Sequence, residues 1–203
     1  MNMQELLKQI IKEDIAPLFK AKGFKKKGKN FAKIFPDFAW TVNLQSSKWN
    51  TKEEVEFTFN TGIFTDKLFG TFYLEKPPQF PTEVYSVLRL RINELKNEPD
   101  NWYKISISTN LDEVKRKIQN DIQNVIFQHL EKLQTIEDVI KEMVRKEELG
   151  FYECPHFLTI LYKNSGFIDE SQNRINKVYA ESKLDSQKEF IKELAERLEL
   201  IIK

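Results

Sequence analysis

Hydrophobic and polar residues alternate with a period of two between Gly23 and Gly62. This period is typical of strands, because successive side chains of a strand point to opposite faces of a sheet. The pattern predicts one strand from Trp40 that runs into a turn near Asn50, and a returning strand from Glu54 to Gly62. One face of the predicted pair is apolar and suits a core, whereas the other face carries a stripe of polar side chains.

A helix is predicted before these strands, because apolar residues recur there at steps of three and four positions. These residues are Leu6, Leu7, Ile10, Ile11, Ile15, Leu18 and Phe19. Pro17 lacks a backbone donor and should bend or divide the helix, and Gly23 should end it because glycine adopts positive φ. Gly28 predicts a tight hairpin between residues 24–27 and 30–35. We therefore expect an antiparallel meander of four strands with the N-terminal helix packed on its apolar face.

The chain between this meander and residue 110 gives weaker patterns. Residues 65–81 contain several prolines, so they predict a long connection whose aromatic side chains fold back onto the core. Residues 84–95 fit a helix slightly better than a strand. Residues 102–108 alternate again and predict a further strand.

The chain from Leu111 onward is predicted to be helical. The predicted helices cover residues 111–133, 135–148, 155–163, 169–183 and 186–202. Asn110 or Asp112 would cap the first of them, and Thr135 with Asp138 forms a capping-box pattern. No linker rich in Gly or Ser divides the chain. We predict one mixed α+β domain over residues 1–203, with the N-terminal helix and antiparallel sheet in residues 1–110 and a helical part in residues 111–203.

Composition changes this picture little. The chain has 203 residues, a formal net charge of +1 and a single cysteine, Cys154. A net charge near zero does not indicate nucleic acid or membrane, and a single cysteine excludes an internal disulfide framework. The sequence shows neither a secretory signal nor an apolar run long enough to span a bilayer. We expect a cytoplasmic protein with no membrane partner.

Several of these segments together resemble a bacterial family of uncharacterised proteins, the domain of unknown function 4304. The matching segments are Gly23-Phe24-Lys25-Lys26, the run from Trp40 to Trp49 with Gln45-Ser46-Ser47, Phe57-Thr58-Phe59-Asn60-Thr61-Gly62, Arg89-Leu90-Arg91-Ile92 and Trp102. The resemblance covers residues 1–145, with a looser likeness beyond. It implies a common fold and brings no established activity to any residue.

A basic run with no intervening acid lies between Ile15 and Pro36. Its lysines are Lys20, Lys22, Lys25, Lys26, Lys27, Lys29 and Lys33. Phe24 and Phe31 lie among them, which is the pattern of phosphate contacts beside stacking rings. Edge strands also carry lysine because it prevents edge-to-edge pairing. The rest of the chain offsets this charge, so nucleic-acid binding through Lys20–Lys33 is a disfavoured alternative.

The polar stripe offers the leading candidate site. It holds Thr41, Asn43 and Gln45 on one strand and Glu54, Glu56, Thr58 and Asn60 on the other. It is the solvated face of an antiparallel sheet, a hydrogen-bonding platform with Trp49 at its rim or, if the later helices cover this face, a buried polar network. The residues we predict to contact a ligand or partner are Asn43, Gln45, Trp49 and Asn60.

Glu54 and Glu56 form the best candidate carboxylate pair. At alternate positions of a strand they lie roughly 6.5–7 Å apart, a separation that could serve general acid–base hydrolysis. The sequence indicates no apolar pocket around them, so surface acids are the simpler interpretation.

The Cys154-Pro155-His156 segment suggests a metal or nucleophile, but the only other histidine is His129. Zinc requires three or four ligands. The glycine motifs of nucleotide-binding loops and of common hydrolases are absent. We therefore predict no catalytic residue, metal site or cofactor.

The leading hypothesis is a non-enzymatic cytoplasmic module that binds an unknown protein partner or a ligand. An immunity-like role against a toxin is one version of it, by analogy of fold alone. A hydrolase-like enzyme built on Glu54 and Glu56 is the runner-up. The sequence indicates neither the partner nor the oligomeric state.

Overall fold

The computed structural model of the chain describes residues 2–150 and 154–203. The described residues form two compact units. Unit 1 comprises Met1–Phe64 and Phe80–Leu133, and unit 2 comprises Thr65–Gln79 and Gln134–Lys203. The single mixed domain stays a prediction, and each unit is described by itself.

Unit 1 is built around one antiparallel sheet, in which the described residues form six strands. The strands are β1 (Lys25–Lys27), β2 (Asn30–Ile34), β3 (Ala39–Ser46), β4 (Glu54–Phe64), β5 (Leu88–Arg91) and β6 (Tyr103–Ser106). Strands β1 to β4 form the predicted meander, and β4 is its longest strand. The far edge of β4 is shared, because β6 pairs with residues 54–57 and β5 pairs with residues 60–63.

The helices alternate with these strands and dominate the chain after residue 110. In chain order they are α1 (Met3–Ile10), α2 (Ala16–Ala21), α3 (Asp66–Tyr73), α4 (Ile92–Lys96), α5 (Leu111–Asp121), α6 (Phe127–Leu130), α7 (Ile136–Glu148), α8 (Pro155–Asn164), α9 (Ile168–Glu181) and α10 (Asp185–Arg197). The π-helical segment Ile11–Ile15 joins α1 to α2, so the predicted division falls just before Pro17. Pro17 lies in the first turn of α2, where its missing donor costs little. Gly23 ends this helical region with φ +84°, as predicted.

The core of unit 1 lies on the apolar face of the sheet. Phe19 of α2 stacks on Phe31 of β2 with ring centroids 4.3 Å apart, and it meets the edge of Phe127 of α6 at 5.3 Å. The indole Nε1 of Trp40 donates a hydrogen bond to the carbonyl of Leu133 at 2.9 Å. The prediction that the N-terminal helix packs on the apolar face is confirmed.

Between β4 and β6 one prediction is wrong, and the two alternatives left for residues 84–95 are both present. Residues 65–81 do not form one long connection, because helix α3 begins at Asp66. Thr65 caps this helix by accepting a hydrogen bond from the Leu68 amide at 3.1 Å, and the prolines lie beyond its end. Residues 84–95 are not one helix. They contain β5 and α4, joined at Arg91.

Unit 2 is helical and contains α3 and α7–α10. Thr135 and Asp138 form the predicted capping box at the start of α7. Phe72 of α3 packs edge-on against Phe157 of α8 at 5.0 Å, and Arg174 of α9 pairs with Glu147 of α7 at 2.6 Å. Helix α10 ends at Arg197, five residues earlier than the predicted end at residue 202.

Candidate functional site

A row of polar residues crosses four neighbouring strands on the sheet face opposite the core. In the register of the sheet, Asn43 of β3 lies between Asn30 of β2 and Asn60 of β4, and Asn60 lies beside Arg91 of β5. The side chains of one register row point to the same face, because the pleat has a period of two. The predicted polar stripe is therefore confirmed, and the register extends it to Asn30 and Arg91.

Hydrogen bonds fix this row and leave part of its bonding capacity unused. Asn43 Nδ2 donates to Asn30 Oδ1 at 2.8 Å, and Asn60 Nδ2 donates to Gln45 Oε1 at 2.8 Å. Asn60 is buried, at 8% exposure, and its Oδ1 accepts from Arg91 Nε at 3.3 Å. Among the described residues, no polar partner meets Gln45 Nε2, Asn43 Oδ1 or Asn30 Nδ2. The row thus presents two donors and one acceptor that a ligand could use.

Arg91 closes one end of the row. Its Nη1 donates to Asp100 Oδ2 at 2.7 Å, and its guanidinium lies over the Trp102 ring, 5.5 Å from the centroid. The Trp102 indole also donates to Asp100, at 3.4 Å. Ion pairing and ring contact together hold Arg91 against Asn60, so Arg91 orients the row.

Trp49 lies on a loop whose backbone is held by hydrogen bonds of Asn50. The Asn50 side chain makes the two backbone hydrogen bonds that a neighbouring strand would make to Glu56. Its Oδ1 accepts from the Glu56 amide at 2.7 Å, and its Nδ2 donates to the Glu56 carbonyl at 3.0 Å. Gln4 Nε2 of α1 donates to the Asn50 carbonyl at 3.1 Å. On this loop the Trp49 side chain is 78% exposed, with Lys48 Nζ 4.9 Å from its ring centroid. The loop holds a large apolar ring in solvent.

The opposite end of the polar face is covered by the chain before β5. Thr41 Oγ1 donates to the Gly62 carbonyl at 3.0 Å and lies 2.8 Å from Ser86 Oγ. Glu83, whose side chain is 7% exposed, accepts from Arg89 Nε at 2.6 Å. The polar residues at this end already form hydrogen bonds and ion pairs within the protein. The candidate site is therefore limited to Asn43, Gln45, Asn60 and the Trp49 loop.

Glu54 and Glu56 share one cation. Lys104 Nζ of β6 lies 2.7 Å from Glu54 Oε1 and 3.8 Å from Glu56 Oε1, and the carboxylates are 44% and 41% exposed. The hydrogen bond that Lys104 donates to Glu54, followed by the charges of both acids, raises the pKa of Lys104. This arrangement favours a surface ion-pair network over an acid–base pair in a pocket.

The basic run extends from the end of α2 through the β1–β2 hairpin, and its aromatic residues face the core. Phe24 and Phe31 are 5% and 1% exposed, so neither ring is available to stack on a base. Lys22 pairs with Glu131 at 2.7 Å, and Lys33 lies over the ring of Trp40. The exposed lysines of β1 therefore lack stacking rings from their own hairpin.

His156 belongs to an aromatic cluster in unit 2. Its ring centroid lies 5.0 Å from that of Phe190 and 6.4 Å from that of Phe72. Burial, and then the charge of Arg174, lower the pKa of His156. Within residues 2–150 and 154–203 there is no group of three or more His, Cys, Asp and Glu residues that could hold a metal ion. The packing favours a structural role for this histidine.

A second polar cluster in unit 1 was not predicted from the sequence. The Tyr103 hydroxyl donates to Asp121 Oδ2 at 2.6 Å, and Lys96 Nζ lies 3.7 Å from Asp121 Oδ1. Asn93 also lines this small cleft, and its Oδ1 has no hydrogen-bond partner among the described residues. Burial, and then the hydrogen bond to Asp121, raise the pKa of Tyr103 far above its ordinary value of 10.0. The only signal in the sequence was Tyr103 at an apolar position of β6.

We expect the substitution Tyr103→Phe to destabilise the protein by about 1–3 kcal/mol, because it leaves the buried Asp121 carboxylate without its hydroxyl donor. Urea unfolding at pH 8 measures this difference. The phenol has a raised pKa in the folded state, so its contribution is complete below pH 10 and is lost as the pH rises above that value. The difference between wild type and variant should therefore shrink above pH 10, and equal stability at pH 8 would contradict the structural role.

A family model described as "Domain of unknown function (DUF4304)" matches residues 15–132. No curated protein and no solved structure matches the chain. Across the described residues, no helix combines the length and the apolar character that a membrane crossing requires.

Proposed function

The chain belongs to the family described as domain of unknown function 4304, a membership that assigns no activity. From the geometry of its polar row and Trp49 loop we propose that it is a non-enzymatic binding protein with a protein partner. The partner contacts Trp49 and the polar row through Asn43 and Gln45, while Asn60 holds Gln45 in position. The compartment we propose is the cytoplasm, where the lone Cys154 requires no disulfide partner. A protein that binds and blocks a toxin is one form of this proposal.

The exposed indole of Trp49 is the observation that carries the proposal. Tryptophan is enriched among the few residues that supply most of the affinity of protein interfaces. The Trp49 ring is 78% exposed, and Asn50 fixes the loop that carries it. A ring held in solvent by a fixed loop loses little conformational freedom on binding, so its burial contributes directly to affinity.

The polar row supports the same surface. Gln45 Nε2 and Asn43 Oδ1 offer a donor and an acceptor that match the carbonyl and N–H groups of a polypeptide main chain. Asn60 is buried and bonded to both Gln45 and Arg91, so the Gln45 amide is oriented before a partner arrives. Preorganised polar groups lose little free energy to ordering when they bind.

The experiment compares capture by three tagged proteins: wild type, the double variant Gln45→Ala/Trp49→Ala, and the control Ile34→Ala. Ile34 is 58% exposed and lies at the opposite end of the sheet, beside Ala39. Each protein is incubated with untreated and with nuclease-treated lysate of the native cell, and recovered proteins are quantified by mass spectrometry. We expect one partner to be recovered by wild type and control, and at least about tenfold less by the double variant.

Full recovery of the same partner by the double variant would overturn the proposed site. Circular dichroism melts of the three proteins exclude unfolding as the cause of a loss. A partner that disappears from the wild-type capture after nuclease treatment would favour nucleic-acid binding instead.

A further inference from the structure

Two chain connections meet at the end of the sheet that carries Trp49. The β1–β2 turn brings Lys29 to this end, where its Nζ donates to Ser46 Oγ at 2.6 Å. The β3–β4 loop carries Lys48 and Lys52, and the Lys52 carbonyl accepts from the Met3 amide at 2.8 Å. We call this surface the lysine end and define it by Lys27, Lys29, Lys48 and Lys52.

The positive charge of the lysine end is not neutralised within the described residues. None of its four lysines lies within salt-bridge distance of a carboxylate there. The neighbouring acids are engaged elsewhere, since Glu54 and Glu56 lie beside Lys104. Glu53 in the same loop offsets only part of the charge. The lysine end is therefore an electropositive rim next to the exposed indole.

Lys29 shows that this charge is held in place. Its Nζ is fixed on Ser46, and partial burial, followed by the nearby charge of Lys8, lowers its pKa. A lysine that is partly desolvated beside another cation gains more from an added carboxylate than an isolated surface lysine does.

We propose that the partner presents an acidic polypeptide segment, whose carboxylates contact the lysine end while its main chain meets Gln45 and its apolar side chains cover Trp49. This inference rests on the proposed function, because it names the chemistry of the same partner. The cationic groups of the lysine end can pair with carboxylates. The amide groups of the polar row that have no hydrogen-bond partner can bond to peptide groups.

A single-stranded nucleic acid fits the surface less well. Such ligands are held by successive rings along a basic groove. Phe24 and Phe31, the rings nearest in sequence to Lys27 and Lys29, are buried, so the β1–β2 hairpin adds no second exposed ring beside Trp49.

The test uses two fluorescein-labelled probes of similar charge, a ten-glutamate peptide and a ten-nucleotide oligothymidine, and reads binding by fluorescence anisotropy. The variant Lys27→Glu/Lys29→Glu/Lys48→Glu reverses the charge of the lysine end. The control Lys12→Glu/Lys20→Glu/Lys132→Glu gives the same net charge with exposed lysines that lie outside that end. We expect the wild type to bind the peptide more tightly than the oligonucleotide. The first variant should weaken peptide binding at least about tenfold, whereas the control should change it less than about threefold.

Each other outcome overturns the inference in a distinct way. An absence of peptide binding, or an equal loss in both triple variants, excludes an acidic recognition site at the lysine end. Tighter binding of the oligonucleotide assigns this end to nucleic acid. If Gln45→Ala/Trp49→Ala abolishes capture of the native partner while the peptide does not bind, the proposed function stands and the acidic partner alone is rejected.

Discussion

The substitution Gly62→Ala is expected to destabilise the protein by about 2–4 kcal/mol. A Cβ at Gly62 would lie 2.5 Å from Ser86 Cβ, 2.7 Å from Ser86 Oγ and 2.9 Å from Thr41 Oγ1. These contacts are shorter than real side chains tolerate, and both neighbours are buried, at 2% and 0% exposure. Overpacking of this kind typically costs about 1–3 kcal/mol, and the displaced Thr41–Ser86 hydrogen bond adds about 1 kcal/mol.

Gly70→Ala is the matched control for this prediction. Among the described residues outside its own helical turn, a Cβ at Gly70 would meet only the Glu75 carbonyl, at 4.0 Å, and Gly70 lies inside helix α3. Alanine in a helix interior is more stable than glycine by about 0.5–1 kcal/mol. Urea unfolding should therefore show a lower free energy of unfolding for Gly62→Ala and a higher one for Gly70→Ala than for the wild type. A Gly62→Ala protein as stable as the wild type would show that the segment around Ser86 does not pack on β4 as described.

Replacing Phe59 by alanine should destabilise the protein by about 3–5 kcal/mol, since a large buried ring is lost and a cavity remains. Phe59 is completely buried in β4, with its ring centroid 6.1 Å from that of Phe57 and 5.8 Å from that of Tyr103. Because β4 pairs with three other strands, this cavity lies at the centre of the sheet.

Phe59→Leu is the control, since it keeps most of the volume and should cost less than about 2 kcal/mol. The midpoint and slope of urea unfolding measure both effects. A loss below about 1 kcal/mol for Phe59→Ala would contradict the description of Phe59 as a core residue.

The meander could be predicted from the sequence because its signals are local. The alternation from Trp40 to Gly62 determines which side chains lie on each face of the strands. The glycines at positions 23 and 28 determine where the chain turns. Each signal extends over only a few residues. Strand β5 could not be predicted in this way. It is only four residues long and becomes a strand by pairing with residues 60–63 of β4, far away in sequence.

The residues of the candidate site could likewise be predicted only where the sequence signal is local. Asn43, Gln45 and Asn60 follow from the alternation, but the predicted contact role of Asn60 becomes an orienting role once its burial is known. Asn30 and Arg91 join the row through the sheet register, and Tyr103 meets Asp121 across 18 residues. Such meetings depend on tertiary structure, which periodicity alone does not contain.

The dissociation constant of the captured partner, measured by isothermal titration calorimetry for wild type, Trp49→Ala and Ile34→Ala, decides whether Trp49 lies in the binding surface. We expect the dissociation constant to increase at least about tenfold for Trp49→Ala, equivalent to about 1.4 kcal/mol, and not to change for Ile34→Ala. Equal dissociation constants for the three proteins would show that the exposed indole and its sheet face are not the binding surface.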